Sequence, residues 1–339
     1  MKLKIQKSRI VLTSILLVAL AGAALTLIDR RYENIANEAI DSYNNLNVRW
    51  GSDFEIIRTQ NPQDNAYQQS YYRKTRSERL QPLVVSLHTW SGSFAQKDEL
   101  AKLVAEQDWN YVHPDFRGPN NIAEACLSDL ALADIDEAIS YSIERGGVDR
   151  DNIFIVGVSG GGYATLGTFL KSKHEIKAFL SWSPISDLEA WYYQSLAKSE
   201  RKYAQDIIKC TGSISSLDSS KARERSPIFW NMNGSSKRHL EIYSGINDGH
   251  SGSVPISHSI RFYNKIARFQ EYARIISVAE IEDLLTRNIE QSDRTIFLDD
   301  RAVFFRRSSG PVSITIFDSG HEILPEYTVH RIGELSKKN

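Results

Sequence analysis

Ile153-Phe154-Ile155-Val156-Gly157-Val158-Ser159-Gly160-Gly161 leads from an apolar stretch through a glycine-flanked serine into the helical pattern of Tyr163 to Leu170. It reads as a strand, a sharp turn and a helix. A serine on so tight a turn needs small residues two positions to either side, because a side chain there would meet the strand or helix packed alongside. Gly157 and Gly161 meet that demand, which makes Ser159 the candidate nucleophile.

Working outward, apolar runs alternate with helical spacings. Phe54 to Arg58 and Gln68 to Arg73 read as short strands of an antiparallel edge, Pro82 to His88 and Asn110 to His113 as compact strands, and Glu99 to Glu106 as a helix. Leu127 to Glu144 carries Leu130, Ala133, Ile135, Ala138, Ile139 and Ile143 as an expected buried face, closed by Gly146-Gly147. Beyond the serine come strands at Ala178 to Trp182 and Leu240 to Ser244, then a helix at Ile256 to Arg268. Strands at Thr295 to Leu298, Ala302 to Arg306 and Val312 to Phe317 follow, and a closing helix at Glu326 to Ser336. The expectation is an α/β fold with a mostly parallel sheet, helices on both faces and right-handed crossovers. A single domain is expected over residues 31–339, with a small helical insertion over about 188–225.

A serine hydroxyl attacks well only when a base takes its proton. Active-site groups of such sheets emerge at the carboxyl ends of the strands, where two later loops qualify: Gly245-Ile246-Asn247-Asp248 and Asp318-Ser319-Gly320-His321. Asp248 is therefore the expected acid and His321 the expected base, the carboxylate fixing the imidazole tautomer while the other ring nitrogen faces Ser159. His250 shares the acid's own loop, His258 falls in a helix, and Asp187 is a rival acid on the correct side of the sheet. An oxyanion needs two backbone donors: Gly160, which follows the nucleophile, and an amide of His88-Thr89-Trp90-Ser91-Gly92. Trp90 is the first choice and Thr89 the second. The His88 side chain is read as buttressing that loop. Trp191, Tyr192 and Phe94 are candidates for the substrate pocket wall, where rings could stack on a sugar or an aromatic acyl group; packing beneath the insertion is the equal alternative for Trp191 and Tyr192 and the preferred reading for Trp182.

Five segments carry a resemblance: Leu87-His88-Thr89-Trp90-Ser91-Gly92, Asp115-Phe116-Arg117-Gly118, Gly157 to Gly162, Gly245 to Asp248 with Val254-Pro255 beyond, and Gly320-His321-Glu322. From Pro82 to the C-terminus the chain resembles the α/β-hydrolase superfamily, and within it the catalytic domain of the prolyl oligopeptidase family and related esterases. The resemblance implies Ser159 as nucleophile, Asp248 as acid and His321 as base. Two departures stand out: Thr89 occupies the place of the usual glycine after the loop histidine, and Gly249 to Ser253 lengthens the segment before Val254-Pro255. The family's oligopeptidases also carry a gating propeller, whereas about fifty residues separate leader from sheet here, too few at roughly 40 per blade. Open access favours esters.

Composition fits a globular chain: 339 residues, 41% hydrophobic, 24% charged, formal net charge −1. That balance lacks the basic stripe a nucleic-acid partner requires. Lys2, Lys4, Lys7 and Arg9 precede an uncharged run from Ile10 to Ile28, ending at Asp29-Arg30-Arg31. As a helix the run would be about 28 Å long, enough for a signal anchor and membrane attachment, while Ala21-Gly22-Ala23 offers a signal-peptide cleavage site. Both readings of residues 1–30 export the folded part, to the periplasm, the exterior or an anchored position outside the cytoplasm. An exported chain may oxidise Cys126 and Cys210 to a bridge, and the other reading, two buried free thiols, is preferred because a core this large needs no staple; two cysteines argue against structural zinc. No cofactor or metal is expected. The reading is an exported serine hydrolase that forms an acyl-enzyme, acting as a carboxylesterase on acylated carbohydrate or other small esters. The alternatives are a serine peptidase of prolyl oligopeptidase type, and a catalytically inactive binding protein on the same fold.

Overall fold

The computed structural model describes residues 50–198, 200–232, 234–288 and 296–337. The leader expected over residues 1–30 and the polar segment after it lie outside the described residues. The chain divides into residues 1–52 and 53–339, and everything below concerns the second unit.

Ten strands form one sheet among the described residues, in the order β1-β2-β4-β3-β5-β6-β7-β10-β9-β8. The centre consists of β3 (Gln81–Leu87), β4 (Asn110–Pro114), β5 (Val148–Val158), β6 (Ala178–Trp182), β7 (Leu240–Gly245) and β10 (Val312–Phe317). These six run parallel. Their near-continuous apolar runs have the cause expected of such strands, since helices cover both faces and β6 and β7 are buried at every residue. The edges are antiparallel: β1 (Glu55–Gln60) and β2 (Tyr67–Arg73) on one side, β8 (Phe297–Leu298) and β9 (Arg301–Ser309) on the other. The short β8 turns into β9 at Asp299-Asp300.

Helices α1 (Glu99–Glu106), α2 (Asp129–Glu144), α3 (Gly160–Lys171), α7 (Ser257–Ala267), α8 (Val278–Thr286) and α9 (Pro325–Ser336) belong to the body of the fold. Three more, α4 (Leu188–Ala197), α5 (Arg201–Cys210) and α6 (Ser219–Glu224), fill the connection from β6 to β7. Helix α2 corrects the expected face. Its buried residues are Ala131, Leu132, Ile135, Ala138 and Ile139 together with Asp134, Asp136 and Ser142, while Leu130, Ala133 and Ile143 sit at the margin. The two buried carboxylates explain the rotation: Asp134 accepts hydrogen bonds from Arg117 and Asn61, each at 2.6 Å, and Asp136 accepts from Ser172 Oγ at 2.6 Å and the Lys173 N–H at 3.1 Å. Buried charge of this kind persists only when paired.

The cysteines give a second correction. They are not free thiols: Cys126 and Cys210 form a disulfide, with Cα atoms 5.9 Å apart and 84 positions between them in sequence. The bridge joins the loop before α2 to the last residue of α5.

Candidate active site

The turn after β5 has the geometry its glycines allow. Ser159 stands at φ +60°, ψ −117° and caps α3, a conformation that costs a residue with a side chain of order 1–3 kcal/mol and recurs at functional sites. Its N–H donates to the Trp182 carbonyl of β6 at 2.9 Å, and its carbonyl accepts from the Tyr163 N–H at 2.8 Å. A Cβ on Gly157 would lie 2.4 Å from the Gly161 backbone, and one on Gly161 would lie 2.1 Å from the Leu87 carbonyl oxygen. The two glycines flanking the serine are thus required by close approach of backbones.

The acid and base come together at the ends of β7 and β10. The loops are stitched backbone to backbone, Ile246 N–H to Phe317 C=O at 2.8 Å and Asn247 N–H to Ser319 C=O at 2.9 Å. His321 Nδ1 lies 2.7 Å from Asp248 Oδ2. Asp248 Oδ1 accepts from the Gly249 and Val254 N–H groups at 2.9 and 3.1 Å, so a carboxylate only 2% exposed is satisfied on both oxygens. The lengthened segment Gly249 to Ser253 therefore wraps the acid; a Cβ on Gly252 would lie 2.3 Å from Asp248 Oδ1. With Nδ1 held by Asp248, the partly exposed His321 side chain has Nε2 free to face a hydroxyl. Ser159 Oγ makes no hydrogen bond among the described residues; it follows β5, three strands from the β10 whose loop carries His321, a spacing of about 14 Å between the strands themselves.

The oxyanion loop meets the turn directly. A Cβ on Gly160 would lie 2.2 Å from the Trp90 nitrogen, so the amides of Gly160 and Trp90 sit side by side at the N-terminus of α3, where helix N–H groups lack partners and the dipole favours negative charge. Around them the loop is bonded. The Thr89 N–H donates to Gln96 Oε1 at 3.1 Å, and the Thr89 carbonyl accepts from the Gly92 N–H at 3.1 Å and contacts His88 Nδ1 at 2.9 Å. The Trp90 carbonyl accepts from the Asn120 N–H at 2.9 Å. The Trp90 N–H has no acceptor among the described residues, whereas that of Thr89 is occupied by Gln96. His88 is fully buried, stacked on Phe116 with ring centroids 3.8 Å apart, and its Nε2 lies 2.6 Å from the Asp115 carbonyl. Burial pushes its pKa down.

The rival groups have structural partners. Asp187 caps α4 through the Ala190 N–H and pairs with Arg261 at 3.1 Å; His250 lies on the exposed surface of the acid loop. His258 is buried in α7, where Nδ1 accepts from the Ser186 N–H at 3.2 Å and Nε2 meets Gln194 Oε1 at 2.8 Å. Burial first of all, opposed by the charge of Asp187, lowers its pKa from 6.5 to about 4. A histidine kept neutral by the fold stabilises it fully above the unfolded value and loses that contribution as pH falls from 6.5 towards 4, by about 3 kcal/mol. Chemical denaturation at several pH values is expected to show the decline in the native chain and a flatter profile in His258→Asn; equal slopes would refute it.

The pocket wall is corrected at one position. Trp191 is fully buried, packed edge-on against Trp90 with centroids 4.7 Å apart and donating from Nε1 to the Ser253 carbonyl at 2.9 Å, so it supports the site from beneath and offers substrate no surface. Tyr192 and Phe94 are half-buried and Tyr193 is exposed. Trp182 is buried, stacked on Tyr243. The sequence reading missed Gln96, Asn120, Lys198 and Lys202. Lys202 Nζ donates to Ser91 Oγ at 2.7 Å, and Lys198 Nζ donates to the Gly252 carbonyl. These are long-range contacts of polar residues in loops and an insertion, and no local pattern marks them. Among the described residues no cluster of three or more His, Cys, Asp or Glu side chains is placed to hold a metal ion.

Comparison with known proteins bears on the family and the fold. The sequence model of the prolyl oligopeptidase family matches residues 96–280, more than half of the chain. Among curated protein sequences none matches. Among solved structures, the acylaminoacyl peptidase of Pyrococcus horikoshii is similar at a TM-score of 0.56 and 19% identity, covering 87% of this chain and 43% of that one. A puromycin-hydrolyzing peptidase of Mycobacterium tuberculosis aligns at 0.56 and 16% identity, over 86% of this chain and 39% of its own. An esterase of Pyrococcus furiosus aligns at 0.56 and 14% identity, over 86% and 93%. The chain thus spans less than half the length of these peptidases, and the shared architecture is the α/β-hydrolase fold.

Proposed function

The chain belongs to the prolyl oligopeptidase family, and from that premise we propose that it is a serine hydrolase in which Ser159 attacks the carbonyl of a carboxylic ester, with acylated carbohydrate and other small esters as the substrate class. His321 takes the serine proton at Nε2 and returns it to the leaving alcohol; water then repeats the sequence on the acyl-enzyme. Asp248 holds the imidazole in the tautomer that can accept, and the Gly160 and Trp90 amides receive the oxyanion. The observation that carries this reading is the Asp248 carboxylate, committed to two amides through one oxygen and to His321 through the other.

The peptidases of the same family favour a second reading, in which the leaving group is an amine. Purified protein assayed on acetyl and longer p-nitrophenyl esters and on aminoacyl p-nitroanilides, each beside Ser159→Ala, separates the two: ester turnover is expected to exceed amide turnover, and the reverse order would install the peptidase. Export is proposed with it, because the disulfide suits an oxidising compartment and the run Ile10 to Ile28 supplies a route. No helix among the described residues is long and apolar enough to cross a membrane, so membrane attachment would rest on residues 1–30. Protease treatment of intact cells is expected to reach the catalytic unit; full protection would refute export.

A further inference from the structure

The oxyanion loop is held from two sides by elements that the disulfide joins. On one side, Asn120 is 3% exposed and reaches both ways: its N–H and Nδ2 donate to the Trp90 carbonyl at 2.9 and 3.3 Å, and its Oδ1 accepts from the Cys126 N–H at 2.9 Å. On the other side, Lys202 in the first turn of α5 donates to Ser91 Oγ at 2.7 Å, and α5 ends at Cys210. The Cys126–Cys210 bridge closes the circuit, which runs from Trp90 through Asn120, the disulfide, α5 and Lys202 back to Ser91.

The Cys126 end of that circuit does not sit there by local preference. Cys126 and Leu127 adopt φ +49° and +54° in succession, a left-handed pair that two residues with side chains adopt only when held. Holding it are the disulfide, the Tyr163 hydroxyl donating to the Cys126 carbonyl at 3.1 Å, and Arg225 Nη1 donating to the Ala125 carbonyl at 3.0 Å. What the turn presents in return is one N–H aimed at Asn120 Oδ1.

We propose that Asn120 is a positioning residue for the oxyanion hole: it aims the backbone of Trp90, and the Cys126–Cys210 bridge fixes the turn against which Asn120 is braced. This rests on the reading of the Trp90 amide as an oxyanion donor. An amide serves the transition state at about 2.7–3.1 Å from the developing oxyanion, and small misplacement lowers the rate while ground-state binding is spared. Asn120 touches no reacting atom; its effect passes through the Trp90 peptide.

Asn120→Asp tests the inference. The carboxylate keeps an acceptor for the Cys126 N–H but sets an oxygen against the Trp90 carbonyl where a donor stood. With p-nitrophenyl acetate as probe and active sites counted by fluorophosphonate titration, kcat per titrated site is expected to fall about tenfold with KM within twofold, and a boronic acid inhibitor to weaken by the same factor. Cys126→Ser/Cys210→Ser, assayed well below its melting temperature, is expected to lose kcat in the same direction. Unchanged kcat per titrated site in Asn120→Asp, or a loss confined to KM, overturns the inference while Ser159-dependent labelling leaves the site reading intact. If the native chain takes no label at Ser159, the site reading fails and the inference falls with it.

Discussion

Ser159→Ala is expected to lower kcat by roughly a million-fold and to abolish covalent labelling by a fluorophosphonate, with the melting temperature unchanged or slightly raised. The two expectations have one source. Ser159 is held at φ +60°, ψ −117° by backbone bonds to Trp182 and Tyr163 that alanine keeps, and its hydroxyl makes no hydrogen bond among the described residues. Removing the oxygen therefore deletes the group that reacts and nothing that stabilises. The residual rate should be that of water acting beside the remaining amides. Retention of more than a hundredth of the turnover by a homogeneous Ser159→Ala preparation would show that another group carries the reaction.

The second large effect is expected from Asp248→Asn, a loss of about ten thousand-fold in kcat with little change in stability. Its logic lies in the two oxygens. Oδ1 accepts from the Gly249 and Val254 amides, so an asparagine keeps its carbonyl there, because turning the NH2 group towards two N–H donors would leave all three unsatisfied. The NH2 group then faces His321 Nδ1, which must present a lone pair, and the ring proton moves to Nε2. An imidazole in that tautomer cannot accept the serine proton. The test is the pH profile: activity is expected to recover at high pH, where hydroxide can deprotonate the serine without the ring, whereas a loss independent of pH would point to a displaced loop.

How much of this was legible without coordinates depended on whether the signal was local. The strand entering Ser159 and its neighbours β6, β7 and β10 were readable because strands buried on both faces are forced into short apolar runs. The glycines beside the serine were readable because backbone contact admits nothing larger. Asp248 and His321 followed from topology, since parallel strands deliver their loops to one edge. Trp191 was misplaced because an aromatic residue at the start of an insertion looks the same whether it faces a pocket or lies beneath one; burial is decided by Trp90 and Ser253, far away in sequence. The disulfide was left open for the same reason, its two cysteines lying 84 positions apart. Helix α8 escaped because Val278 and Leu285 are exposed, which breaks the amphipathic pattern, although the reciprocal Ser277 and Glu280 capping contacts do leave a sequence signature.

The helices between β6 and β7 touch both halves of the catalytic apparatus: Lys202 on α5 holds Ser91, and Lys198, just past α4, holds the Gly252 carbonyl beside the acid. One connection thus couples two loops that are distant in sequence, so substitutions along it are expected to be non-additive with substitutions in those loops, and libraries that hold Lys198 and Lys202 constant should yield a larger fraction of active clones than libraries that vary them.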